Sequence, residues 1–208
     1  RKNGQAGQGM VEYALLAVLI LMVVGSLQLY GISLQGAYCE VVSFFGAEPA
    51  ACGAVVLLEE AFDSLDAWTF THGNGWVLED GKLRIEEYGE HRAFTGDEEW
   101  EDYTIHLGET VLYDGLGYGV YFRVTDEPDI NGYAFQYDEG YGESFIIREV
   151  VNGYELHPPI AVEPAPAGFD WYNTPHSVDV EVRGDTYTAY VDGNPVVSVI
   201  DDTSPSGK

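Results

Sequence analysis

The run Ser177-Val178-Asp179-Val180-Glu181-Val182-Arg183 alternates apolar and polar residues at every step. In extended backbone, Val178, Val180 and Val182 then point to one face and Asp179, Glu181 and Arg183 to the other, the pattern of a half-buried strand. Two further runs follow, Thr186–Val191 and Val196–Ile200. Between them Asp192-Gly193-Asn194-Pro195 contains a tight hairpin turn, because Gly and Asn tolerate positive φ. Working backward, the same grammar recurs in runs separated by Gly, Asn and Asp. Candidate strands are Val55–Phe62, Lys82–Glu86, Tyr103–Tyr113, Gly117–Thr125, Tyr133–Tyr137 and Phe145–Val151. His157–Asp170 holds four prolines and reads as a loop. No helical periodicity of useful length occurs beyond Val55, so this part is expected to be an all-β antiparallel sandwich or jelly roll.

Composition sharpens the picture. The 208 residues are 46% hydrophobic and 13% aromatic, too apolar for a disordered chain, with a formal net charge of -26. A nucleic-acid binder needs the opposite sign, which excludes DNA and RNA as natural partners. The charge is also uneven. Residues 1–58 carry Arg1 and Lys2 against Glu12, Glu40 and Glu48, so nearly all of the 35 acidic side chains lie beyond them. The chain joins a nearly neutral, greasy end to an acidic, Tyr- and Gly-rich body.

In the greasy end no charged residue occurs from Tyr13 to Tyr38. A helix from Met10 to Phe45 would be roughly 50 Å long, a rod that no small soluble domain needs. It would bury its surface in lipid or in other copies of itself. Three readings compete: a secretory signal peptide, a plain membrane anchor, and an assembly helix. A signal peptide has a shorter apolar core followed by polar mature sequence. A plain anchor is long enough but leaves Glu12 unexplained, since an ionisable group inside an apolar run is costly and usually has a partner.

The segment Gly7-Gln8-Gly9-Met10-Val11-Glu12-Tyr13-Ala14-Leu15-Leu16 resembles the start of a type IV pilin, most closely the tight-adherence (Flp) kind. The resemblance implies leader-peptidase cleavage between Gly7 and Gln8 after a basic leader. Glu12 and Tyr13 then stand at the fifth and sixth mature positions. Glu12 would pair with a neighbour's terminal amine in a filament core, removing two isolated charges from low dielectric; the alternative is an interfacial residue at the membrane surface. This reading divides the chain into a candidate leader (1–7), a hydrophobic helix (8–45), a connector (46–56) and an acidic β-domain (57–208).

Cys39 and Cys52 bracket a turn-prone interval containing Gly46 and Glu48-Pro49. An exported context favours a disulfide, worth roughly 3 kcal/mol for so short a loop; free buried thiols are the alternative. Two cysteines without a nearby histidine cannot fill a zinc site.

The body resembles the concanavalin A-like (laminin G-like) jelly rolls, a group with sugar-processing and sugar-binding members. The supporting pieces are Phe62-Asp63-Ser64 with Trp68, and Trp76 followed by Glu79-Asp80-Gly81-Lys82-Leu83. Further along come Gly117–Arg123, Gly132-Tyr133-Ala134-Phe135, and Val182-Arg183-Gly184-Asp185 with Tyr187, Ala189 and Val191-Asp192-Gly193. The family implies a further strand beyond the last hairpin, pairing near the domain's beginning.

A glycosidase needs two carboxylates about 5–10 Å apart across a cleft. The nearest match to an acid-alternating catalytic strand is Ser177–Glu181, where the first acid is serine, so no catalytic residue is assigned. Binding is the stronger expectation. Trp68, Trp76 and Trp171 read as core, and Trp100, inside Asp97-Glu98-Glu99-Trp100-Glu101-Asp102, reads as the candidate exposed, ligand-facing aromatic. Asp126, Asp129 and Asn131 form a weak calcium candidate without EF-hand spacing; a solvated acidic turn is the alternative. The histidines show no i,i+4 pair, so a zinc-protease reading has no support.

The expected molecule is thus a long N-terminal hydrophobic α-helix followed by an all-β antiparallel sandwich of the concanavalin A-like jelly-roll type. Its expected role is a non-enzymatic pilin: a homo-oligomeric extracellular filament with β-domains displayed for adhesion to surface glycans, held in the cytoplasmic membrane before assembly. A leader peptidase and an assembly motor enter by resemblance. The rival reading is a membrane-anchored carbohydrate-binding jelly-roll module that does not polymerise.

Overall fold

The structure is a computed structural model and describes residues 56–73, 75–126 and 128–208. The chain divides into two compact units, Arg1–Glu59 and Glu60–Lys208. The long helix expected over 8–45, with Gly7, Gln8, Glu12, Tyr13, Cys39 and Cys52, lies outside the described residues. Among the described residues the one helical element is a short 3-10 turn, Glu139–Tyr141, and no helix is long and apolar enough to cross a membrane.

The second unit is an antiparallel β-sandwich. Its strands are β1 (Thr69–Thr71), β2 (Trp76–Glu79), β3 (Lys82–Ile85), β4 (Arg92–Phe94), β5 (Tyr103–Thr110), β6 (Gly117–Thr125) and β7 (Asn131–Asp138). They continue with β8 (Ser144–Val151), β9 (Tyr154–Glu155), β10 (Ala161–Pro164), β11 (His176–Arg183), β12 (Thr186–Val191) and β13 (Asn194–Ile200). One sheet runs β10-β8-β7-β6, with β9 added to β8. The other runs β13-β12-β11-β5, and two ribbons, β1-β4 and β2-β3, complete the set.

The alternation read from Ser177–Val191 places the core. Val178, Val180 and Val182 on β11, with Tyr187, Ala189 and Val191 on β12, face Phe122, Tyr133, Phe135, Phe145 and Ile147 of the five-stranded sheet. The rings of Phe122, Tyr133 and Tyr187 meet across the sheets, with centroids 4.7–5.4 Å apart. Such aromatic contacts add about 1 kcal/mol each beyond the area they bury. Trp171 is fully buried among Tyr137, Phe145 and Phe169, as a core tryptophan. Asp192 and Gly193, with φ of 51° and 72°, close the β12–β13 hairpin as the sequence requires.

Two segments depart from expectation. Residues 56–62 form no strand; Glu60 instead accepts from the Phe62 backbone N–H and from Trp68 Nε1, holding the chain in a local turn. Ala161–Pro164, inside the proline-rich stretch, is an edge strand paired with β8, a place where Pro164 needs no ladder donor. The final residues also pair. Lys208 exchanges backbone hydrogen bonds with Val124 at 2.7 and 3.1 Å, and the Gly207 N–H donates to the Trp100 carbonyl. Gly207 is buried at φ 145°, where any Cβ would collide with the Arg123 carbonyl carbon at 2.2 Å.

Candidate functional site

Along β7, Tyr133, Phe135 and Tyr137 enter the core, so period-two geometry sends Ala134, Gln136 and Asp138 to the outer face of the five-stranded sheet. On β8 the same rule sends Ile146, Arg148 and Val150 outward beside them, and on β6 it sends Gly117, Gly119 and Tyr121. Ala134 and Val150 pack with Phe94 of β4 in a second buried cluster, and long polar side chains occupy the rest of this face.

Arg148 is the centre of that face. Its side chain is only 3% exposed, and its guanidinium holds Asp138 at 2.7 Å and Glu155, on β9, at 3.2 Å. Withdrawing an arginine from water is costly unless it is paired, and two carboxylates supply the pairing. Glu155 also accepts from Tyr121 Oη at 3.0 Å and from Gln136 Nε2 at 2.7 Å. Burial, reinforced by the Glu155 charge, pushes the Tyr121 hydroxyl far up from the usual phenol range, so it remains a donor. Tyr141 lies 5.5 Å under the guanidinium and stacks with His157. The His157 Nε2 lies 3.4 Å from Arg148 Nη1, and its Nδ1 lies 2.9 Å from Tyr141 Oη. At the other flank Arg92, also 3% exposed, pairs with Glu90, donates to the Gly153 carbonyl at 3.1 Å and lies over Tyr121.

Three polar atoms here are buried and have no hydrogen-bond partner: Gln136 Oε1, Arg148 Nε and Arg92 Nη1. Native interiors rarely leave such atoms orphaned; six more, on Trp76, His91, Arg123 and Trp171, are orphaned as well, and what distinguishes this face is an unpaired acceptor beside unpaired cationic donors. Gly119 keeps the edge of the face bare, since a Cβ there would lie 3.2 Å from Gln136 Cγ. The arrangement offers one acceptor, two cationic donors and a fixed acidic frame, the complement of hydroxyl groups.

The residues singled out from sequence lie elsewhere. Trp100 is half-buried, edge-on to Tyr103 with centroids 5.9 Å apart, and packs against the core. The Tyr103 hydroxyl is pushed up to about 12 by burial and accepts from the Arg123 backbone N–H. In the calcium candidate, Asn131 Nδ2 donates to Asp126 and Asn131 Oδ1 accepts from the Asn152 N–H. The amide thus turns its hydrogens to Asp126 and its oxygen to the Asn152 N–H. Asp129 has its Cα 3.6 Å from the position of a Cβ at Gly153. Among the described residues no group of three or more His, Cys, Asp or Glu is placed to hold a metal ion. The outer-face cluster is not legible in the sequence because its members are scattered from Glu90 to His157 and match no spacing pattern; the one visible signal is Arg148 at an interior position of β8, a strand in which apolar residues predominate.

Comparison with known proteins gives a family. Residues 53–208 match the family described as 3-keto-alpha-glucoside-1,2-lyase-like domain. An extracellular exo-alpha-L-arabinofuranosidase of Streptomyces chartreusis is 27% identical over 146 residues, covering 69% of this chain and 17% of the enzyme. The chain therefore spans about a sixth of that relative's length. Among solved structures, the carbohydrate-binding module CBM66 of Bacillus subtilis aligns with a TM-score of 0.57 and 22% identity, covering 68% of this chain and 83% of that one. A Bacillus subtilis protein of unknown function with a galectin-like fold aligns at 0.51 and 14% identity, covering 71% and 81%. At these identities the two structures establish the jelly-roll, galectin-like fold alone.

These findings correct the expected function. The filament subunit, with its transmembrane helix and pilus assembly, is overturned by a match to a glycoside-related family that runs from residue 53 to residue 208. Through those residues the chain belongs to the 3-keto-alpha-glucoside-1,2-lyase-like domain family.

Proposed function

We propose that the β-domain is a carbohydrate-binding module, associated with glycoside-degrading systems, that docks a sugar on the outer face of its five-stranded sheet. The observation that carries this reading is the buried Arg148, fixed by Asp138 and Glu155, with Arg148 Nε and the neighbouring Gln136 Oε1 both lacking partners. A sugar hydroxyl both donates and accepts, so one or two hydroxyls match this pair, and Tyr141 and Tyr121 offer apolar ring surface alongside. The glycoside-related family and the arabinofuranosidase relative support a saccharide ligand. That relative is extracellular, and we place this chain outside the cell.

A second reading, elimination on a 3-keto-glycoside, follows from the family description and needs a base beside a cation that holds the developing oxyanion. Glu155 beside Arg148 is the candidate pair. Both oxygens of Glu155 already hold donors, which favours a fixed binding floor over a free base.

Incubation of the protein with insoluble neutral polysaccharides, arabinan among them, followed by sedimentation tests the first reading. Retention that free oligosaccharide reverses is expected, and no retention on any of them would overturn it. Release of the aglycone from a 3-keto-glucoside would instead establish the second.

A further inference from the structure

The mechanism proposed above leaves one buried cation unused. Arg123 follows Tyr121 on β6, but a register shift between Phe122 and Thr125, with Arg123 at φ 56°, turns its side chain away from the outer face. It is 1% exposed, donates Nη2 to the Gly184 carbonyl at 2.8 Å and lies 5.8 Å from the Tyr187 ring. Its Nε and Nη1 have no partner. A guanidinium held this far from water with two idle donors is expensive, and no carboxylate pairs with it among the described residues.

Arg123 lines an open cleft of about 320 Å³, at the small end of the range for ligand sites. Glu101, Asp102, Asp185 and Asp202 share the lining, and the closing segment contributes Ser204 and Pro205. That segment is stitched down: Tyr187 Oη donates to the Ser204 carbonyl, the Ser204 N–H donates to Tyr133 Oη, and Lys208 pairs with Val124. The cleft is therefore a built feature of the sandwich end.

Its chemistry selects the ligand. Four carboxylates around one guanidinium leave the cleft net negative, which repels an anion, and among the described residues no three carboxylates are grouped so as to hold a metal ion. A zwitterion would surrender the hydration of two charges at once. A neutral vicinal diol meets both linings, because each hydroxyl accepts from the guanidinium while donating to a carboxylate.

We propose that the Arg123 cleft is a second saccharide subsite, separate from the outer face, that takes a neutral sugar unit through adjacent hydroxyls and rejects uronic acids. It rests on the reading of the domain as carbohydrate-binding.

Saturation-transfer NMR on the full chain, with L-arabinose, D-glucose, D-galacturonic acid and glycine as probes, tests it against two variants. The exposed pair Glu101→Gln with Asp202→Asn alters the cleft without touching the core, and Gln136→Ala alters the outer face. A neutral sugar should bind to Gln136→Ala and bind about tenfold more weakly when the cleft acids are changed in that background, as loss of charged hydrogen bonds predicts. Galacturonic acid and glycine should give no signal. Neutral-sugar binding that disappears in Gln136→Ala, or that is indifferent to the cleft pair, overturns the subsite alone. Preference for galacturonic acid or glycine overturns the ligand class, and no binding of any neutral sugar overturns both the subsite and the carbohydrate reading.

Discussion

The two sheets present outer faces of opposite character. On the four-stranded sheet, Asp179 pairs with His106, and Glu181 accepts from Tyr190 at 3.1 Å and lies 3.4 Å from Arg183. The basic partners stand in solvent, with His106 68% exposed and Arg183 51% exposed, while Asp179 and Glu181 are half-buried. On the five-stranded sheet, one arginine is almost wholly withdrawn from water between two carboxylates, beside a glutamine with an idle oxygen. Exposed ion pairs contribute little and are common wherever acids are abundant. A buried arginine with an unsatisfied donor is costly and rare. What separates a site from a decorated surface here is burial of the cation, not the number of acids.

Substitution on each face should expose that difference. The largest effect is expected for Arg148→Met, which leaves Asp138 and Glu155 facing each other without their cation. It should lower stability by about 3 kcal/mol in urea unfolding and abolish retention on polysaccharide. Next, Gln136→Ala removes the idle acceptor and one donor to Glu155. Stability should fall by about 1 kcal/mol and sugar affinity about tenfold, read by titration calorimetry.

A smaller effect belongs to the sandwich edge, where His176 pairs with Asp192 at 2.7 Å. Desolvation works to lower the His176 value, but the hydrogen bonds it donates to the Asp170 carbonyl and the Asp192 carboxylate outweigh it, so the net shift is upward. The His176 hydrogen bond, with the Ser177 N–H, lowers Asp192 against its own desolvation. A raised histidine stabilises fully below the ordinary value of about 6.5 and loses that contribution as pH rises through its folded value. A lowered aspartate stabilises above about 3.8 and loses it as pH falls through its folded value. The difference in melting temperature between the protein and Asp192→Asn should therefore be larger near pH 5 than near pH 8.5. Asp192 is half exposed, so the difference is small. Smallest of all, Asp179→Ala with Glu181→Ala should change stability by no more than about 0.5 kcal/mol and leave sugar retention intact.

The sandwich was legible because its signal is local. Val178, Val180 and Val182 alternate with charged residues, and Asp192-Gly193 can hardly be anything but a hairpin. The edge strand Ala161–Pro164 was hidden by prolines that an edge tolerates, and the turn at Glu60–Trp68 by a side-chain hydrogen bond that no hydropathy pattern shows. The outer-face site was illegible for a different reason. Tyr121, Gln136, Arg148 and Glu155 sit on four strands and meet only through cross-strand register, so each alone resembles an ordinary surface residue. Asp179 and Glu181, by contrast, show their spacing within a single strand without forming a catalytic pair, and Trp100 stands out in an acidic run although the fold packs it against Tyr103.

The most direct test is a crystal structure of the protein soaked with an oligosaccharide released from a polysaccharide that retains it. Sugar hydroxyls within hydrogen-bond distance of Gln136 Oε1 and Arg148 Nε, on the outer face of the five-stranded sheet, are the expected result. Sugar seated only against Asp179 and Glu181, with the Arg148 face bare, would contradict the account.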